Sequence, residues 1–257
     1  MVNLIDAHVH LDLYKDDELE QLMTMTNQVE SIISVSFHLD SCKKNLLLAE
    51  KFEKVKPAFG FHPEQALPPG QELEELFNWI KENQDKMVAI GEVGLPFYLR
   101  TGKNVVNFSL ERYLEVLEQF ILLSKQLDKP IVLHAVYDDA PIACTLLEKH
   151  SVTKAHFHWF KGDYKTLERM KNNGYFVSVT PDIVYEKEIQ DLVRCYPLEQ
   201  IMVETDGPWA FEGPFKGTLT NPTMMKESIK VISQIKKLTE PEVLEQIYRN
   251  TKDFYGL

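Results

Sequence analysis

The sequence predicts an α/β chain closed into a (β/α)8 barrel of the TIM type, and three observations lead there. Apolar, β-branched runs recur at fairly even intervals. Amphipathic, helix-like stretches separate them, so that strand and helix alternate eight times. The strands read as nearly continuous apolar runs, as expected of a parallel sheet covered on both faces. At 257 residues the chain suits one such barrel, and a single domain over residues 1–257 is expected.

Strands are predicted near Leu4 to Leu11, Ser31 to Phe37, Lys56 to His62, Met87 to Leu95, Pro130 to Val136, Lys154 to Phe160, Tyr175 to Thr180 and Ile201 to Asp206. Between them, apolar residues at helical spacing mark Asp17 to Gln28, Lys43 to Lys54, Glu72 to Gln84, Leu110 to Leu127 and Tyr164 to Asn173. A last helix has its own start signal, with Thr239 and Glu242 spaced as a capping box and Pro241 in the first turn. Gln65 to Gln71 and Gly207 to Pro222 read as long loops, which in a compact domain are often functional.

A composition with 44% hydrophobic and 26% charged residues excludes both a disordered chain and a membrane protein. No apolar run approaches the roughly 20 residues of a membrane helix, and the N-terminus enters a strand without a secretory signal, so a cytoplasmic location is expected. Cys42, Cys144 and Cys195 lack any Cys-x-x-Cys spacing and read as reduced thiols. A net charge of -11 argues against a broad electrostatic footprint for nucleic acid, so a polyanion would have to be held locally.

Chemistry in a barrel sits at the C-terminal ends of the strands. Polar residues interrupt the apolar runs there: His8 and His10 on the first strand, His62 on the third, Glu92 on the fourth, His134 on the fifth, His158 on the sixth and Asp206 on the eighth. His8 and His10 share one strand face, because strand side chains alternate with period 2. Alone, that pair is also compatible with structural histidines. In register with the others it forms a set that would cost free energy unless paired or metal-bound. Four imidazoles with a central and a late carboxylate suit two divalent ions, zinc, manganese or magnesium, in a binuclear site.

At these residues the chain resembles the TatD family of metal-dependent hydrolases, part of the wider amidohydrolase-like barrels. The resemblance runs through Ile5-Asp6-Ala7-His8-Val9-His10-Leu11-Asp12, Gly60-Phe61-His62-Pro63, Gly91-Glu92-Val93-Gly94-Leu95, Leu133-His134, His158-Trp159-Phe160-Lys161-Gly162 and Glu204-Thr205-Asp206-Gly207-Pro208, and on to Asn221-Pro222 and Asn250-Thr251. It implies His8, His10 and Asp206 on one metal, His134 and His158 on the other, and Glu92 bridging both. It further implies that Asp206 orients and deprotonates a metal-activated water, and that His62 contacts substrate phosphate. The implied activity is hydrolysis of a phosphodiester, as in an exonuclease acting on single-stranded DNA. Hydrolysis of an ester or amide, including an aminoacyl ester on tRNA, stays open, as does a metal-retaining, non-catalytic subunit of a larger assembly.

The chain also departs from the family pattern. Pro96 stands where the family usually has Asp, and Val136 where it usually has Arg. Trp159 and Lys161 replace small residues, and Trp209 follows Pro208 where Tyr, Phe or Leu is usual. Trp159 and Trp209 are candidate substrate contacts, as aromatic rings able to stack on bases. Phe97, Tyr98 and Phe211 share that option, with loop packing as the stronger reading for all five. His156 reads as a packed core group. Glu204 is either a residue that orients a ligand or a structural acid. His38 has an open substrate role, His150 reads as solvated, and Asp138 and Asp139 as residues that begin a helix.

Overall fold

The computed structural model describes residues 4–102 and 109–257. Its eight strands are β1 (Leu4–Val9), β2 (Val29–Ser34), β3 (Val55–Phe59), β4 (Ala89–Gly94), β5 (Ile131–His134), β6 (Ala155–Phe157), β7 (Phe176–Val179) and β8 (Ile201–Val203). They lie side by side in chain order, each parallel to the next. The circle closes just beyond the last strand, where Asp206 N–H donates to His8 C=O at 2.9 Å and His10 N–H to Gly207 C=O at 2.8 Å. The predicted TIM-type barrel is therefore the observed fold.

The helices are α1 (Asp16–Met25), α2 (Leu39–Lys51), α3 (Gly70–Glu82), α4 (Phe97–Thr101), α5 (Leu110–Leu127), α6 (Asp139–Lys149), α7 (Tyr164–Asn172), α8 (Lys187–Cys195), α9 (Met225–Lys236) and α10 (Glu240–Tyr255). Helix α10 begins as predicted, with Thr239 and Glu242 bonded reciprocally and a proline in the first turn. None of these helices is long and apolar enough to cross a membrane, among the described residues.

Two apolar clusters divide the packing. The larger fills the space between strands and outer helices, with Leu117, Phe120 and Ile121 of α5 and Ile229 and Ile232 of α9 among its members. The smaller joins Ala7, Ile33, Ala58, Ala89, Val132 and Met202 from six strands with Tyr255 at the end of α10, and fills the barrel interior. On three strands the alternation of side chains carries that inward face up to the site. Ala58 leads to His62, Val132 to His134, and Met202 to Glu204 and Asp206.

The regular strands are shorter than expected. His10, His62, His158 and Asp206 all lie just past the last ladder residue of their strands, in the segments that turn toward the helices. Two glycines let those segments approach one another. A Cβ on Gly94 would lie 1.9 Å from the His134 carbonyl oxygen, and one on Gly207 would lie 1.8 Å from the Tyr14 hydroxyl. That hydroxyl donates to the Thr220 carbonyl at 2.8 Å and ties the long loop after β8 to the start of the chain.

Candidate metal centre

All six residues expected to ligate metal converge at the top of the barrel, where each is buried. Glu92 sits at the middle, and its two oxygens face different partners. Oε2 lies 3.2 Å from His8 Nε2 and 3.2 Å from His10 Nε2. Asp206 Oδ1 completes that lobe, at 3.3 Å from His8 Nε2 and 3.5 Å from His10 Nε2. Oε1 lies 3.0 Å from His134 Nδ1 and 2.6 Å from His158 Nε2. The two histidines of this second lobe are 3.2 Å apart, Nδ1 to Nε2.

This donor set fits divalent cations. His8 Nε2, Glu92 Oε2 and Asp206 Oδ1 are buried, aimed at one point and without a hydrogen bond. Buried polar atoms without partners are costly, and a cation among them would satisfy all three. Triads of His8, His10 and Glu92, and of His62, Glu92 and His134, are each close enough to hold an ion. Burial alone would push the Glu92 carboxyl up, but the surrounding His158, His62 and His8 imidazoles hold it well below the usual carboxylate range. It is therefore an anion ringed by imidazoles.

His62 approaches Glu92 Oε1 at 3.6 Å, but its hydrogen bonds give it a different task. Its Nδ1 accepts the Glu64 N–H at 3.1 Å, so Nε2 carries the proton and points into the site as a donor. Burial holds its pKa well below the ordinary histidine value and keeps the ring neutral. A neutral ring with Nε2–H inward suits a substrate oxygen better than a cation.

Sequence reading missed Glu64. Its Oε1 lies 3.2 Å from His134 Nε2, so the imidazole donates there and leaves Nδ1 free to face Glu92. The same carboxylate accepts the backbone N–H groups of Tyr98 at 2.8 Å and Leu99 at 2.6 Å. One side chain thus fixes the tautomer of His134 and the start of α4. Its position two residues after His62 was the only available signal. Partners that orient a metal-binding histidine typically contribute 10- to 100-fold in metal affinity. Glu64→Gln is accordingly expected to weaken metal binding by about 10- to 100-fold, read by competition with a chelating dye, with a far-UV spectrum like that of the parent.

Glu204 is buried beside His158. It accepts Trp159 N–H at 2.7 Å and Ser178 O–H at 2.5 Å, and its Oε1 lies 3.7 Å from His158 Nδ1. Below it, Ser178 Oγ meets His156 Nε2 at 2.6 Å, and His156 Nδ1 meets the Tyr255 hydroxyl at 2.8 Å. His156 is thus the packed core group expected, and burial pushes its pKa down to about 3, so it stays neutral.

Two residues of the site hold left-handed backbone conformations, Asp206 at φ 48° and Trp159 at φ 36°. Aspartate tolerates this region, whereas a bulky residue there is strained. For Trp159 the two hydrogen bonds of its main chain and indole oppose the strain. The indole Nε1–H donates to Asp182 Oδ2 at 2.7 Å.

A cavity of 620 Å³ opens above the cluster, lined by His10, His62, His134, His158 and Asp206 together with Tyr98, Trp159, Lys161 and Trp209. Its volume lies within the roughly 300–1,000 Å³ typical of small-ligand sites. All three predicted substrate contacts, His62, Trp159 and Trp209, lie on its wall. The five aromatic residues divide. Tyr98 and Trp209 are half exposed, whereas Phe211 is buried against Trp159 and Phe215.

Three minor expectations change. His38 accepts the Ser41 N–H at 3.3 Å and caps α2, so its ring is engaged away from the cavity. His150 is half-buried and bonded to Glu118 Oε1 at 2.6 Å, because α5 and α6 pack side by side. Asp139 is buried in an ion pair with Arg100 of α4 at 2.5 Å, rather than only starting a helix.

A family model described as TatD related DNase matches residues 5–256. An uncharacterized metal-dependent hydrolase of Haemophilus influenzae is 38% identical over 255 residues, covering 99% of this chain and 100% of that protein. Human deoxyribonuclease TATDN3 is 32% identical over 265 residues, covering 97% of this chain and 93% of its own. The crystal structure of YJJV, a TatD homolog from Escherichia coli, superposes with a TM-score of 0.83 at 24% identity, over 100% of this chain and 99% of that one.

Proposed function

The chain belongs to the TatD family of metal-dependent hydrolases, and from that premise we propose that it cleaves phosphodiesters at a binuclear centre, with single-stranded DNA as the substrate class. The observation that carries this is the division of donors across Glu92, with His8, His10 and Asp206 around one oxygen and His134 and His158 around the other. In this reading those residues would hold two divalent ions, with Glu92 offering one oxygen to each lobe. Zinc, manganese and magnesium all suit the donor set. The pair of ions would supply an ionised water at neutral pH and charge stabilisation for the phosphoryl centre.

The protein's own groups do the remaining work. Asp206, held by its left-handed backbone at the rim of the cluster, orients the attacking water and accepts its proton. His62 donates Nε2–H to a phosphate oxygen, its other nitrogen being tied to the Glu64 backbone. Trp209 and Tyr98 offer exposed ring faces at the cavity, and base stacking on such a ring is worth about 1–3 kcal/mol. A single domain over residues 1–257 and a cytoplasmic location belong to the same proposal.

The test is end-labelled single-stranded DNA incubated with the purified protein in magnesium or manganese. Shortening of the strand is expected with the parent protein. It should stop with chelator and fall at least 100-fold in Asp206→Asn, because the base and part of the cation cradle are lost together. Shortening that persists equally in Asp206→Asn would refute the reading. Untouched DNA with turnover of carboxylic esters, amides or aminoacyl-tRNA would replace it with carbonyl hydrolysis. Stoichiometric metal with no turnover in either panel, in a protein that copurifies with a partner, would make the chain a non-catalytic subunit.

A further inference from the structure

Lys161 follows His158 by three residues in the loop after β6 and reaches the same cavity as the histidine cluster. Among the described residues lining that cavity it is the only lysine or arginine. Its ammonium stands 5.1 Å from the centre of the Trp159 ring. The nearby Asp182 is already engaged, accepting the Trp159 indole N–H at 2.7 Å and the Thr180 hydroxyl. The lysine's main chain is equally fixed, because Tyr137 N–H donates to Lys161 C=O at 2.7 Å. That bond ties the loop after β6 to the loop after β5, whose Val136 gives the cavity wall an apolar side chain.

The geometry is that of a cation propped on an aromatic face, facing a cavity whose other fixed charges are the carboxylates of Glu64 and Asp206. Lysine binds phosphate as a point charge. A reacting phosphate over the Glu92 cluster would be served by the cations that cluster suits and by the neutral His62 Nε2–H donor. A flanking phosphate has one partner left. On a surface whose net charge is -11, additional phosphates of a long strand meet repulsion rather than support.

We propose that Lys161 holds the phosphate next to the one being hydrolysed, so that the site selects a short, end-presented strand carrying one flanking phosphate. This deepens the phosphodiesterase reading and rests on it. Lys161 thereby sets specificity, and Trp159 positions it.

The probe is a thymidine dinucleotide with a neutral, uncleavable methylphosphonate linkage, prepared with and without a 5′-phosphate. Binding to the metal-loaded protein is read by tryptophan fluorescence. The parent protein is expected to prefer the phosphorylated probe by about tenfold, the scale of one charge-assisted contact. Lys161→Met should abolish that preference, and Lys161→Arg should retain it. A preference that survives in Lys161→Met, or is absent from the parent, overturns the proposal. With cleavable dinucleotides, the same ratio should appear in KM rather than in kcat. Should the parent cleave no phosphodiester at all, the catalytic reading fails while the binding preference still decides the role of Lys161.

Discussion

Glu92→Gln is expected to lower phosphodiester turnover by about a thousandfold or more, a loss of roughly 4 kcal/mol in transition-state stabilisation. The amide keeps the size of the side chain and removes its charge. In the parent, that charge lies within 3.2 Å of His8 and His10 on one side and within 3.0 Å of His134 and His158 on the other. A neutral amide can present only one oxygen, so the second lobe loses its shared acceptor. Metal content should fall together with turnover, measured by elemental analysis of the dialysed variant beside a steady-state assay. A Glu92→Gln protein that keeps two ions and parental turnover would rule out the bridging role.

Removal of metal should lower the melting temperature by roughly 5–10 °C. A ligand present at 100 times its dissociation constant stabilises a fold by about 2.7 kcal/mol, and each kcal/mol is worth roughly 2–4 °C in a chain approaching this size. The physical source is the buried set itself. Without an ion, His8 Nε2, Glu92 Oε2 and Asp206 Oδ1 are desolvated and unsatisfied. Calorimetry in chelator, followed by addition of zinc, manganese or magnesium in excess, measures the drop and its recovery. A transition that ignores both treatments would mean that the cluster does not hold metal in folding-competent form.

Which of these features are legible in the amino-acid sequence follows from which forces act locally. The eight strands were readable because a parallel sheet covered on both faces demands uninterrupted apolar runs, so each polar break stood out. His134 lies where alternation predicts direction, two residues after the interior Val132, whereas His8 and Glu92 sit where the ladders of β1 and β4 shift register, out of phase with the interior Ala7 and Ala89. His10, His62, His158 and Asp206 were placed correctly at the barrel top, but on segments the sequence reading took as strand. Their burial depends on turns that no periodicity encodes. Glu64 was invisible because its partner His134 is 70 positions away and the bond exists only after two loops pack. His150 was misjudged for a similar reason, since its Glu118 partner belongs to a neighbouring helix. The division among the aromatic residues was likewise unreadable, because exposure of Trp209 and burial of Phe211 depend on how one loop folds on itself.

The closure between the first strand and the end of the last has a bearing on the protein's solubility. Two backbone bonds, Asp206 to His8 and His10 to Gly207, span that join among the described residues, and three of those four residues are expected metal ligands. In any open sheet the outer strands offer unpaired N–H and C=O groups to other chains. Here the would-be edges are β1 and β8, and the Asp6 carboxylate also draws them together by accepting the Thr205 N–H at 3.0 Å and its hydroxyl at 2.6 Å. The join thus serves solubility as well as shape, because it withholds the edges of β1 and β8 from pairing with other chains.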